Sequence, residues 1–324
     1  MIRAMPKPKL LVTRKLPPAI EARAARDYDA SFNPADTVRD GPALAAAAAG
    51  HHAILGAAGD PLGKATIQAL PASIKAIATF SVGFDHVDVT AAKARGIIVA
   101  NTPDVLTDAT AEIAMLLIMA SMRRAGEGER MVRAHAWAGW APTQLMGLQV
   151  SGKRLGIFGM GRIGRRLADF ARGFDMTIHY RDVQALPPEL AKGATYHDND
   201  ESFLSAIDVL SLNAPGGEAT KKWLNAARIA KLRKGAVVVN SGRGTVVDDA
   251  ALCDALASGQ VAFAGLDVFD GEPRIFGGYH ALPNVVLLPH LGSATIETRD
   301  AMGHRALDNL NAVFAGKAPR DQVG

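Results

Sequence analysis

Three segments in the second half of the chain carry the side chains best suited to chemistry, and each follows an apolar run. Residues 237–244 place Asn240, Ser241, Gly242 and Arg243 after three valines, and residues 264–273 end in Asp267, Asp270 and Glu272 before Pro273. Residues 285–295 set His290 directly behind Pro289, with Gly292 close after it. A guanidinium presents a planar fork of donors that suits a carboxylate and its neighbouring carbonyl. An imidazole exchanges a proton near neutral pH, and a carboxylate beside it favours imidazolium and fixes the ring. The set matches what reduction of a 2-keto acid needs: a proton at the carbonyl oxygen from His290, an orienting Glu272, and a clamp from Arg243 that steadies the developing oxyanion. Taken singly, each segment also fits a solvated loop or a structural imidazole; their succession after a nucleotide-binding motif favours chemistry.

That motif is Gly159-Met160-Gly161-Arg162-Ile163-Gly164, preceded by the apolar run 154–159 and followed by a helical pattern at 165–174. Gly159 permits the tight turn, Gly161 lets backbone approach a pyrophosphate, and Gly164 lets helix and strand pack closely. The helix N-terminus then offers N–H groups to phosphate. Asp182 ends the next apolar run, 18 residues after Gly164, where an acid meets the adenosine ribose diol and repels a 2′-phosphate. NAD(H) is therefore favoured, while Arg181 beside it keeps NADP(H) open. Asp267 is expected to accept from the nicotinamide carboxamide.

These loops need rigid strands behind them. Apolar runs at 9–13, 53–56, 74–80 and 97–100, separated by alanine-rich helical patterns such as 43–49 and 89–95, predict a first series of βα units. Runs at 154–159, 177–180, 209–212, 236–240, 262–266 and 285–288 predict a second. Between the series, a long helix runs from Thr107 or Asp108 through Met122 and beyond, then an irregular stretch at 134–147 carries Trp137 and Trp140. A last helix is expected over 295–314. The reading is an α/β protein of two Rossmann-like domains: residues 1–102 with 291–324, and an inserted domain 103–290, with substrate held in a cleft between them.

The composition excludes several classes. Of 324 residues, 36 are Lys or Arg and 32 Asp or Glu, and the basic ones occur at most in pairs such as Arg165-Arg166, so a nucleic-acid surface is not expected. The most apolar stretch, 113–122, is too short to span a bilayer, and the N-terminal residues lack a signal-like apolar core. Cys253 is the single cysteine, so no intrachain disulfide forms. His51-His52 lacks neighbouring ligands, so no metal site is expected. A cytoplasmic protein follows.

In order along the chain, residues 81–88, 101–112, 159–164, 240–244, 265–273 and 288–295 resemble the D-isomer-specific 2-hydroxyacid dehydrogenases, and within them the glyoxylate/hydroxypyruvate reductase (D-glycerate dehydrogenase) branch. The resemblance covers nearly the whole chain. It implies a flavodoxin-like substrate domain built from both chain ends around an inserted NAD-binding Rossmann domain, and NAD(P)H-dependent reduction of glyoxylate or hydroxypyruvate to glycolate or D-glycerate. It implies Arg243, Glu272 and His290 as the catalytic set, with substrate carboxylate contacts from the backbone of Val82 and Gly83. Thr110 is implied near the cofactor, and Asn213 and Pro215 on its adenosine side, with Ser241, Gly242 and Gly292 also lining it. It further implies a homodimer in which Trp140 reaches the neighbouring subunit's pocket. The family's usual Pro-x-Thr-x-x-Thr loop is replaced here by glycines at 216 and 217, which predicts a looser loop. Alternatives are a reductase for larger acids such as 2-ketogluconate and, in a different class, a dinucleotide-sensing corepressor-like binding protein.

Overall fold

The computed structural model describes residues 6–324, which form two units: residues up to Leu106 together with Ala294–Gly324, and Thr107–Ser293. The divisions fall three or four residues beyond the expected 102 and 290. The first coincides with the start of a helix at Thr107, and the second comes after the His290 turn, which is hydrogen-bonded into the inserted unit.

The first unit begins β1 (Lys9–Val12), α1 (Pro18–Asp27), β2 (Asp29–Ser31), α2 (Gly41–Ala47), β3 (Ala53–Ala57), α3 (Lys64–Ala69), β4 (Ala76–Phe80), α4 (Val89–Ala94) and β5 (Ile98–Ala100). The inserted unit follows with α5 (Thr107–Met122), α6 (Ala125–Arg133), β6 (Arg154–Phe158), α7 (Arg162–Arg172), β7 (Thr177–Arg181), α8 (Pro188–Ala191), β8 (Thr195–Tyr196), α9 (Asp200–Ala206), β9 (Val209–Leu212), α10 (Ala226–Ile229), β10 (Ala236–Asn240), α11 (Asp249–Ser258), β11 (Val261–Leu266) and β12 (Val285–Leu287). The chain then returns to the first unit with α12 (Ile296–Phe314) and β13 (Gln322–Val323).

The first unit's sheet runs β13-β5-β4-β3-β1-β2, parallel except for the terminal β13, which pairs antiparallel with β5. Its five parallel strands thus have the flavodoxin-like order. Burial on both faces explains why β4 is apolar except at Thr79, all five of its residues being buried. The inserted unit's sheet runs β12-β11-β10-β9-β6-β7-β8, parallel throughout, with its reversal of order between β6 and β9. In open sheets of this kind, ligands bind outside the carboxyl ends of the strands at such a reversal. Leu155, Ile157, Val237 and Val239 lie on one side of this sheet with α5 and α7 residues Leu117, Ile118 and Leu167, while Leu210, Leu212 and Val238 pack with α9 and α11 residues on the other.

One expected helix is two. The pattern through Met122 breaks at Arg124, whose φ of +52° is left-handed, and α6 starts afresh with no buried residue. Residues 134–147 form neither helix nor strand, and Trp140 there is 81% exposed.

Candidate active site

Seven parallel strands end at the carboxyl edge of the inserted sheet, and nearly all of the residues singled out in the second half of the chain lie on the loops that leave it. After β6, Gly159 takes a φ of +94° and sits so close to the loop after β9 that a Cβ would lie 2.6 Å from the Ala214 nitrogen. A Cβ on Gly164 would lie 2.3 Å from the Gly159 carbonyl oxygen. At Gly161 a Cβ would meet nothing within 4 Å, and α7 opens there, three residues earlier than its pattern suggested, without a side-chain cap. Two glycines are thus required by packing and the third faces open space at a helix N-terminus. That cradle fits a dinucleotide pyrophosphate.

Asp182 follows β7 and accepts the Met160 N–H at 2.7 Å and the Val183 N–H at 2.7 Å, tying the strand end to the glycine turn. Arg181 donates to the Asp182 carbonyl and pairs with Asp200 rather than pointing to open solvent. After β9, the Asn213 Nδ2 donates to Ser211 Oγ at 3.0 Å and its Oδ1 accepts from Ser241 Oγ at 3.3 Å, so the β9 and β10 loops are joined. The glycine-containing loop is not loose. Thr220 Oγ1 donates to the Pro215 carbonyl at 2.7 Å, and Gly216 lies where a Cβ would be 3.2 Å from Arg243 Cγ, so its bareness makes room for the arginine.

Arg243 sits beyond β10, donating to the Gly242 carbonyl at 2.9 Å, with its own carbonyl accepting from Asn240 Nδ2 at 2.9 Å. The next residue, Gly244, meets the β11 loop backbone to backbone: a Cβ there would stand 1.9 Å from the Phe269 carbonyl carbon. Phe269 in turn donates its N–H to Glu272 Oε1 at 2.8 Å, and Glu272 Oε2 lies 2.8 Å from His290 Nδ1. Burial of the Glu272 carboxyl raises its pKa, but the His290 hydrogen bond, the Phe269 N–H and the charges of His290 and Arg243 together outweigh it, and it is held below the usual glutamate range. An ionised Glu272 can only accept, so Nδ1 carries the proton in that bond and Nε2 is left for chemistry.

His290 itself has a φ of +58°, a left-handed conformation that costs a non-glycine residue about 1–2 kcal/mol. Asp267 holds it. The fully buried Asp267 carboxylate accepts the Leu291 N–H at 2.7 Å and the Gly292 N–H at 2.8 Å, while its carbonyl accepts the His290 N–H at 2.9 Å. Asp267, expected to accept from the nicotinamide carboxamide, is a buried strut of the His290 turn in this structure. Thr110, expected beside the cofactor, is likewise buried and donates to the Gly292 carbonyl at 3.0 Å. Sequence reasoning missed both supports, and the Phe269 N–H, because none has a local signal.

Val82 and Gly83 belong to the first unit, after β4. Their carbonyls are tied back by Asn101 Nδ2 at 2.7 Å and Ser81 Oγ at 2.6 Å. Among the described residues no cluster of His, Cys, Asp and Glu could hold a metal, and no helix is long and apolar enough to cross a membrane.

Comparison with known proteins bears on what this edge does. Residues 115–292 match the family model described as D-isomer specific 2-hydroxyacid dehydrogenase, NAD binding domain. The glycerate dehydrogenase of Hyphomicrobium methylovorum is 45% identical over 314 residues, covering 96% of this chain and 98% of that protein. The glyoxylate reductase of Thermococcus litoralis is 41% identical over 269 residues, 82% of this chain and 81% of the relative. Among solved structures, a Polaromonas sp. JS6 66 protein assigned to the D-isomer-specific 2-hydroxyacid dehydrogenases superposes with a TM-score of 0.94 at 45% identity, covering 98% of this chain and all of the other. An NADPH-dependent glyoxylate/hydroxypyruvate reductase from Sinorhizobium meliloti, solved with NADP and malonate, gives 0.88 at 34% identity, covering 98% of this chain and 97% of its own.

Proposed function

The chain belongs to the D-isomer-specific 2-hydroxyacid dehydrogenases, oxidoreductases that reduce small 2-keto acids with a nicotinamide dinucleotide, and we propose that its substrates are glyoxylate and hydroxypyruvate, reduced to glycolate and D-glycerate. The observation that carries the chemistry is the 2.8 Å bond between Glu272 and His290 on the loops beside Arg243. The names of the relatives, glycerate dehydrogenase and glyoxylate reductase, support the choice of substrate.

His290 delivers a proton from Nε2 to the carbonyl oxygen as negative charge develops there. Glu272 holds the ring by Nδ1 and stabilises the imidazolium before transfer. Arg243 binds the substrate carboxylate and the carbonyl oxygen through its forked donors. A bound dihydronicotinamide would supply the hydride for the carbonyl carbon. The glycine turn 159–164 would hold the pyrophosphate, and Asp182 the adenosine ribose, which favours NAD(H). The N–H groups of Val82 and Gly83, whose carbonyls are already engaged, are suited to the substrate carboxylate.

A homodimer and a cytoplasmic location complete the proposal. Trp137, Trp140, Met146 and Val132 are 53%, 81%, 65% and 58% exposed on α6 and the stretch after it, an apolar surface suited to a second copy.

The test is steady-state kinetics with NADH and NADPH over glyoxylate, hydroxypyruvate, pyruvate and 2-ketogluconate, for the wild type and His290→Ala. Turnover of the two small acids, lost by about 10²–10⁴-fold in the variant with NADH binding retained, is expected. Turnover of 2-ketogluconate alone overturns the substrate assignment, and an active His290→Ala overturns the proton donor.

A further inference from the structure

Arg181 is the cation nearest in sequence to the proposed ribose acid, and its guanidinium is already engaged. Its Nε is buried without a hydrogen-bond partner and lies 3.5 Å from Asp200 Oδ1 at the start of α9. The other oxygen of Asp200 accepts from Arg228 Nε at 2.6 Å. Arg228 is held in turn: its Nη1 donates to the Trp223 carbonyl at 2.9 Å and its guanidinium lies 5.2 Å from the Trp223 ring, which stacks on Phe158 of β6. One carboxylate therefore bridges two arginines, the second anchored to the sheet. Arg181 also donates to the carbonyl of Asp182, which turns it back along its own strand. On the other side of Asp182 stands Val183, 95% exposed, which offers no charge.

We propose that Asp200 determines dinucleotide selectivity by withholding Arg181 from the adenosine end of the cofactor groove. This rests on the reading that Asp182 faces the adenosine ribose. A 2′-phosphate there meets a carboxylate and finds the adjacent guanidinium committed elsewhere. The ligand class excluded is a 2′-phosphorylated adenosine, whether from NADPH or from the isolated mononucleotide. Exclusion is therefore built from two carboxylates acting differently: Asp182 repels directly, and Asp200 removes the compensating cation. Replacing Asp200 leaves Asp182 and its bond to the glycine turn untouched, so the second effect can be separated from the first.

The experiment measures dissociation constants of NADH, NADPH and adenosine 2′,5′-bisphosphate by calorimetry for the wild type, Asp200→Asn, Arg181→Ala and the double variant. In Asp200→Asn, NADPH and the bisphosphate should bind about tenfold tighter, the scale of one charge-assisted hydrogen bond, with NADH unchanged. The gain should vanish in the double variant. Arg181→Ala alone should leave NADPH affinity at the wild-type value, a readout that remains if Asp200→Asn does not fold. Unchanged NADPH binding in Asp200→Asn, an equal gain without Arg181, or selective loss of NADPH in Arg181→Ala overturns the proposal. Failure of the wild type to bind NADH would instead overturn the groove assignment beneath it.

Discussion

Glu272 stands 2.8 Å from His290 Nδ1 while its second oxygen receives the Phe269 N–H, so the carboxylate is pinned from two loops before any substrate arrives. Its folded pKa lies below the ordinary 4.5, because the hydrogen bonds and the nearby positive charges together overcome the burial that would raise it. The stability this contributes is present above pH 4.5 and is lost as pH falls through the depressed folded value. Glu272→Gln should flatten that acid limb in thermal melts and lower kcat by about 10²-fold. A variant with wild-type kcat would show that the ring needs no anionic partner.

Asp267 should act on activity through position. Burial pushes its carboxyl above the usual range against the pull of the Leu291 N–H, the His290 charge and the Gly292 N–H. Asp267→Ala leaves two backbone donors unpaired at a left-handed histidine, at a cost on the order of 2–4 kcal/mol, and should lower kcat more than it raises the NADH dissociation constant. Asp267→Asn, which keeps one acceptor, should recover part of both losses. Denaturant unfolding and stopped-flow binding read these separately, and an alanine variant of unchanged stability would refute the strut.

Gly244→Ala tests the seam between the β10 and β11 loops. The added methyl would overlap the Phe269–Asp270 backbone, so the loops must part, at about 1–3 kcal/mol or more. Activity should fall with stability, since Arg243 and Glu272 ride on opposite sides of that seam. Calorimetric melting with no change in Tm would mean the loops yield freely.

His179 Nδ1 and His197 Nε2 lie 3.0 Å apart between β7 and the residue after β8. Both imidazoles are held below the ordinary 6.5, His179 by burial, the charge of His197 and Arg154, and His197 by burial. The folded chain therefore binds fewer protons than the unfolded one as pH drops through 6.5 and below, and stability present above that window is lost within it. The double variant His179→Gln/His197→Gln should show a smaller fall in Tm between pH 7 and pH 5. An equal fall in both proteins would place the acid sensitivity elsewhere.

The parts of the site that were legible in the sequence lie where backbone geometry dictates residue type. Gly159 and Gly164 are such positions, and the valine-rich β10 reads as a strand because both faces are buried. The pattern was silent where a short element borrows its stability from neighbours: β2 is three residues with no buried member, and β13 only two. It misled at Arg124, where a left-handed turn is made without glycine. It gave no sign that Asp267 also braces the His290 turn, since the N–H groups it serves lie more than twenty residues away and backbone donors leave no trace in side-chain identity.

The first unit is assembled from both ends of the chain, with β13 closing its sheet beside β5 and α12 lying against β4. On the ribosome, β4 therefore emerges long before the helix that covers it, whereas the inserted unit has all its strands once Leu287 is out. Domains generally fold as units during synthesis, and transiently bare apolar surface invites aggregation. The inserted unit should thus mature first, leaving a sheet with one face still bare for chaperones to shield until α12 emerges. Nascent chains stalled near residue 330 of a C-terminally extended version should resist protease across 107–293 while residues 6–106 remain cleavable.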